Sequence, residues 1–104
     1  ETIDATGKYV LPGGIDSHVH IEQDSPETGA RPGTDFYTTT VSAACGGTTT
    51  LIPFARQIKG RSLREAVEEY RQKPIGKAVI DYAYHLIVAD PTAQVLGQEV
   101  PSLI

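Results

Sequence analysis

The stretch Pro12-Gly13-Gly14-Ile15-Asp16-Ser17-His18-Val19-His20 limits what this chain can fold into more than any other. A proline followed by two glycines marks a chain reversal or a tight passage, since glycine adopts backbone angles closed to other residues. The alternation that follows reads as a β-strand, in which residues two apart share a face. His18 and His20 then point the same way, about 6–7 Å apart along the strand, close enough to meet at one metal ion. Asp16 and Glu22 share their parity, while Ile15, Val19 and Ile21 form an opposite, apolar face. Two histidines at this spacing are a weak signal alone, because many histidines are surface or core residues with ordinary hydrogen bonds. The glycine passage before them strengthens it. Asp16 and Glu22 are placed to orient the rings through their second nitrogens.

At 104 residues the chain has the length of one small domain. Its net charge of -4 gives no basic footprint for nucleic acid. No apolar run approaches the roughly 20 residues a membrane helix requires, and no basic-then-apolar leader opens the chain. The single cysteine, Cys45, cannot form an internal disulfide, which fits a reducing cytoplasm. The chain begins without Met and stops on the apolar Ser102-Leu103-Ile104. It is expected to be an internal piece of a longer protein.

Residues 4–7 carry turn chemistry, and Tyr9-Val10-Leu11 reads as a short strand leading into the histidine element. Residues 22–34 are polar and broken by Pro26, Gly29, Pro32 and Gly33. Such a long connection is either a functional loop or a plain disordered tip. Asp35 is expected to cap a helix to about Cys45, which Gly46-Gly47 stops. Residues 48–54 read as a buried strand, with Pro53 implying that it ends there or lacks a donor. After the basic loop 55–61, Ser62 and Glu65 form a capping box. The helix behind it carries the stripe Leu63, Ala66, Val67 and Tyr70. Residues 78–89 read as a strand, and Asp90-Pro91 as the start of a third helix interrupted by Pro101.

This order of strand and helix, three times over, predicts an α/β fold with a parallel sheet and right-handed crossovers. Neither Gly-rich phosphate loop of a doubly wound sheet is present. A (β/α)₈ barrel places its sites at the C-terminal ends of its strands, where His20 falls. Three β/α units are less than half of one.

Asp4, Gly7 and Val10, followed by Pro12-Gly13-Gly14-Ile15-Asp16 and the His18, His20 pair, resemble the first barrel strand of the amidohydrolase superfamily. Ala44-Cys45-Gly46-Gly47-Thr48-Thr49-Thr50, Lys59-Gly60 with Ser62-Leu63, and Ile80-Asp81-Tyr82 are similar to its hydantoinase/dihydropyrimidinase branch. The resemblance runs over nearly the whole chain. It implies that residues 1–11 leave an N-terminal β-sandwich and that 12–104 are the first three units of a TIM barrel. It implies a hydrolase that opens the ring amide of cyclic ureides to N-carbamoyl amino acids. Two divalent metal ions, commonly zinc, are implied, with His18 and His20 matching the pair that binds the more buried one. A bridging carbamylated lysine and the remaining ligands would lie beyond Ile104, so no catalytic residue is expected within this chain. The resemblance also implies a homotetramer or homodimer at full length, acting on a small cyclic ureide.

Two loops are similar to the family's substrate-gating loops, with Gln23, Asp24 and Arg31 in one and Arg56 and Gln57 in the other. The first is polar where enzymes for aromatic hydantoins carry an apolar loop, and this points to a polar or small ring substituent. Dihydroorotases and allantoinases place an arginine soon after the paired histidines, but here none comes before Arg31. A non-catalytic dihydropyrimidinase-like scaffold is the other alternative, and the intact histidine pair argues against it. Asp16 and His85 are candidates for outer support of the metal site. The plainer reading of His85 is a structural histidine hydrogen-bonded near a strand end.

Overall fold

The structure is a computed structural model, and it describes residues 1–23 and 33–104. Asp24 and Arg31, and most of the loop they belong to, lie outside the described residues. Strand β1 (Gly14–Val19) leads through helix α1 (Phe36–Cys45) to β2 (Thr48–Arg56). Helix α2 (Leu63–Gln72) then leads to two short strands, β3 (Asp81–Tyr82) and β4 (His85–Ile87). All pair in parallel, with β2 central between β1 on one side and β3 and β4 on the other. The α/β class with a parallel sheet is therefore observed. Among the described residues, no helix is long and apolar enough to cross a membrane.

The expected third strand appears as two pieces in a single register, Thr50 with Asp81 and Phe54 with His85. Pro53 explains the break. Ala83 N–H donates to the Leu51 carbonyl, and Gln57 N–H to the Ile87 carbonyl. The two-residue step between them calls for an amide hydrogen on residue 53, which proline lacks. Strand β2 itself continues past Pro53 to Arg56, beyond the end expected from the sequence.

Both main helices start where their caps place them. The Asp35 carboxylate accepts from Thr38 N–H, and Ser62 Oγ accepts from Glu65 N–H. Gly47, at φ 86°, turns the chain out of α1. The Ser62 cap has an unforeseen partner, because Glu99 accepts from both Ser62 Oγ and Arg64 N–H. Glu99 sits in a π-helical turn (Val95–Glu99) that replaces the regular third helix expected after Asp90-Pro91. The helical segment starts late: Asp90 accepts from Gly60 N–H, and Thr92 Oγ1 accepts from Val95 N–H instead. Pro101 does not interrupt it, lying within a 3₁₀ turn (Val100–Ser102) where its missing donor is harmless.

The core lies between the helices and one face of the sheet. Ile21, Phe36, Leu51, Ala55, Leu63, Val67, Tyr70 and Val95 form it. The Tyr70 hydroxyl donates to the Ile21 carbonyl at 2.5 Å, and burial pushes this phenol far above its usual range. Residues 9–11, expected as a strand, form none, and Tyr9, Val10 and Leu11 are exposed.

Candidate metal centre

Gly13 is a tight passage: a Cβ there would lie 2.2 Å from Thr49. Beyond it β1 departs from the simple alternation. Asp16 pairs with Leu51 and Val19 with Pro53, three residues advancing against two. This bulge falls at Ser17-His18, where Asp16 Oδ1 accepts from His18 N–H at 3.0 Å. A side chain that bonds the backbone two residues on pulls the strand out of its ladder. The bulge corrects the faces read from the sequence. Asp16 lies across from buried Leu51 and borders a hollow with Thr38 and Ser42 of α1, a hollow that His20 also reaches. Ile15 pairs with Thr50 and is 67% exposed, so it is no part of an apolar backing. Only Val19 and Ile21 back the histidines.

Beyond the bulge His18 and His20 come together, with ring centres 5.5 Å apart. Two imidazoles on one tetrahedral zinc have centres roughly 5 Å apart, given Zn–N lengths near 2.0–2.1 Å. Phe54, near the C-terminal end of β2, is the platform beneath them. Its ring centre lies 4.6 Å from His18 and 5.0 Å from His20, with the His20 ring nearly parallel to it at 17°. The sequence reading missed this role. Alternation along β2 carries the signal, since Phe54 lies between buried Pro53 and Ala55 and so faces away from the helices.

The acidic neighbours do not hold the imidazoles. Asp16 takes a backbone N–H, and Glu22 turns away entirely. At φ 45° Glu22 is the one described non-glycine residue with a left-handed backbone. Its carboxylate accepts from Phe36 N–H at 2.8 Å and pairs with Lys77 at 3.0 Å. Gln23 reaches the ring instead, with Oε1 2.5 Å from His20 Nδ1 and Nε2 donating to the Phe54 carbonyl at 2.7 Å.

His85 contacts the other side of this cluster, its ring 5.0 Å from Phe54. Its Nε2 bonds the Ser17 carbonyl at 2.9 Å, tying β4 to β1 across β2. A carbonyl only accepts, so this nitrogen carries the proton. Gln57 is buried and binds only backbone, donating to Arg61 O and accepting from Ala89 and Asp90 N–H. It staples loop 57–61 to the chain after β4. Arg56 borders a small hollow with Gln23, Tyr70 and Lys73.

The donor set fits half of a metal site. Two convergent imidazoles are present, and among the described residues no third His, Cys, Asp or Glu completes a group of three.

Residues 1–90 match the model of the amidohydrolase family. The chain is 54% identical over 97 residues to a D-hydantoinase of Rhizobium radiobacter, covering 93% of this chain and 21% of that protein. It is 49% identical over 104 residues to a D-hydantoinase of Geobacillus stearothermophilus, covering 100% and 21%. Among solved structures, a dihydropyrimidinase from Brevibacillus agri superposes with a TM-score of 0.83 at 48% identity, covering 91% of this chain and 20% of that one. The chain thus spans about a fifth of the length of the curated relatives it matches.

Proposed function

This chain belongs to the amidohydrolase family, and on that premise we propose that it forms the opening β/α units of a metal-dependent cyclic amidase of the hydantoinase and dihydropyrimidinase type. Residues 12–104 are then the first part of a (β/α)₈ barrel, and 1–11 lead into it from a preceding β-sandwich. The observation that carries the reading is the convergence of His18 and His20, 5.5 Å apart at the C-terminal end of β1. Barrel enzymes build their sites at that end. The names of the relatives supply the substrate class, a small cyclic ureide.

In this reading His18 and His20 hold one divalent ion, commonly zinc, and other parts of a longer protein complete a two-metal site. Such an ion, when bound, supplies Lewis-acid polarisation of the ring amide carbonyl. The residues of this chain bind and orient. Phe54 presents an apolar wall to both imidazoles and keeps water off that side of each ring. Arg56, and the stretch that holds Asp24 and Arg31, frame the substrate's ring substituent. The polar character of that stretch favours a small or polar substituent. The full-length protein is expected to assemble as a homodimer or homotetramer.

The test is hydrolysis of hydantoin and of phenylhydantoin by the full-length, zinc-loaded protein, followed as N-carbamoyl product. Ring opening that chelation abolishes and zinc restores is the expected result, with unsubstituted hydantoin favoured. No ring opening by metal-loaded protein contradicts the enzyme reading, and a strong phenyl preference contradicts the substituent assignment.

A further inference from the structure

We infer that Gln23 is a positioning residue that fixes the tautomer of His20, presenting its Nε2 lone pair to a divalent cation. The inference rests on the metal reading of His18 and His20 and adds the residue that makes one of them a competent ligand.

The geometry determines each atom in turn. The Phe54 carbonyl can only accept, so the nitrogen of the Gln23 amide must face it, and does at 2.7 Å. The amide oxygen is thereby turned to His20 Nδ1, at 2.5 Å. An amide oxygen also only accepts, so Nδ1 carries the proton. A neutral imidazole protonated at Nδ1 has its lone pair on Nε2. The near-parallel Phe54 ring holds the plane of the imidazole, so one residue of β2 fixes both the ring and the amide that orients it.

Gln23 reaches back only because the chain folds sharply at Glu22. A left-handed backbone is disfavoured at a non-glycine residue and persists where its surroundings over-determine it. Glu22 is held by Phe36 N–H, by Lys77, and by Lys73, which donates to its carbonyl. Helices α1 and α2 therefore set the turn that places Gln23 on His20.

The test compares zinc affinity, by chelator competition, and melting temperature for full-length wild type, Gln23→Leu, Gln23→Glu and His20→Ala. Gln23→Leu removes the acceptor and is expected to weaken zinc binding about 10–100-fold, the usual cost of losing a ligand's outer partner. Gln23→Glu keeps an acceptor for Nδ1–H but has nothing to donate to Phe54. It is expected to lower the melting temperature while holding zinc at or above wild-type affinity. Equal loss of affinity in both Gln23 variants, or none in Gln23→Leu, overturns the inference. Unchanged affinity in His20→Ala overturns the metal reading beneath it. Should Gln23→Leu fail to fold, ¹⁵N shifts of the wild-type metal-free protein decide: a His20 ring protonated at Nδ1 supports the inference, and one protonated at Nε2 overturns it.

Discussion

Along β2, Leu51, Pro53 and Ala55 turn toward the helices and are buried, while Phe54 turns the other way and remains partly open. The helix side is a contiguous apolar cluster joining Phe36, Leu63, Val67 and Tyr70 to the sheet. The other side carries His18, His20 and His85 around a single phenyl ring. Apolar burial is non-directional, so the first face depends on volume and area. Orientation on the second depends on named atoms: a carbonyl, an amide and a ring plane. Stability is concentrated on one side of the strand and the orientation of the imidazoles on the other.

Phe36→Ala should give the largest effect on folding. Phe36 is fully buried at the start of α1, and truncating such a ring typically costs about 3–5 kcal/mol. Denaturant unfolding of the protein checks it, and a loss under about 1 kcal/mol would break the division between the faces. Phe54→Leu should behave differently. It keeps an apolar side chain, with an expected stability cost below about 1.5 kcal/mol. It removes the ring on which His20 stacks and which His18 meets edge-on, so zinc affinity should fall about tenfold, at the lower end of outer-partner effects. A variant that loses stability but keeps its affinity would show that the ring is mere filler.

Acid should act on the helix side. The Arg64 N–H first, and then the Ser62 hydroxyl, hold the Glu99 carboxyl below its usual value of 4.5. A carboxylate with a depressed folded-state pKa adds stability above its unfolded pKa, and that stability is lost as pH falls through the folded value. Melting temperature should therefore drop below about pH 4.5, with Glu99→Gln less stable at neutral pH and flatter in acid. Zinc affinity at pH 7 should be unchanged by Glu99→Gln. The smallest effect is expected from Arg61→Ala, which removes only exposed ion pairs with Glu65 and Glu69.

What the sequence revealed follows the same division. Helix α2 was legible because its cap and apolar stripe are local and mutually consistent, and α1 because Asp35 and the glycine pair bracket it. The histidine pair was legible through its spacing and its glycine passage. The bulge at Ser17-His18 was not, because the strand's alternation is a rule about an unbroken ladder, and the Asp16 bond that breaks it is only one of several an aspartate can make. The division of the third strand was readable in principle. Pro53 announced a missing donor, but only the register shows that the acceptor it leaves is the Ala83 carbonyl. Glu99, Gln57 and the Gln23 clamp escaped because each joins segments far apart in the chain, where no local pattern records the contact.

The central claim is that His18 and His20 share one metal ion through nitrogens left free by their surroundings. X-ray diffraction from the zinc-loaded full-length protein, with data on both sides of the zinc absorption edge, tests it most directly. The account predicts an anomalous peak about 2.0–2.1 Å from Nε2 of both rings, with Gln23 still on His20 Nδ1. A zinc ion bound elsewhere, or one reached through His20 Nδ1 with Gln23 displaced, would contradict it.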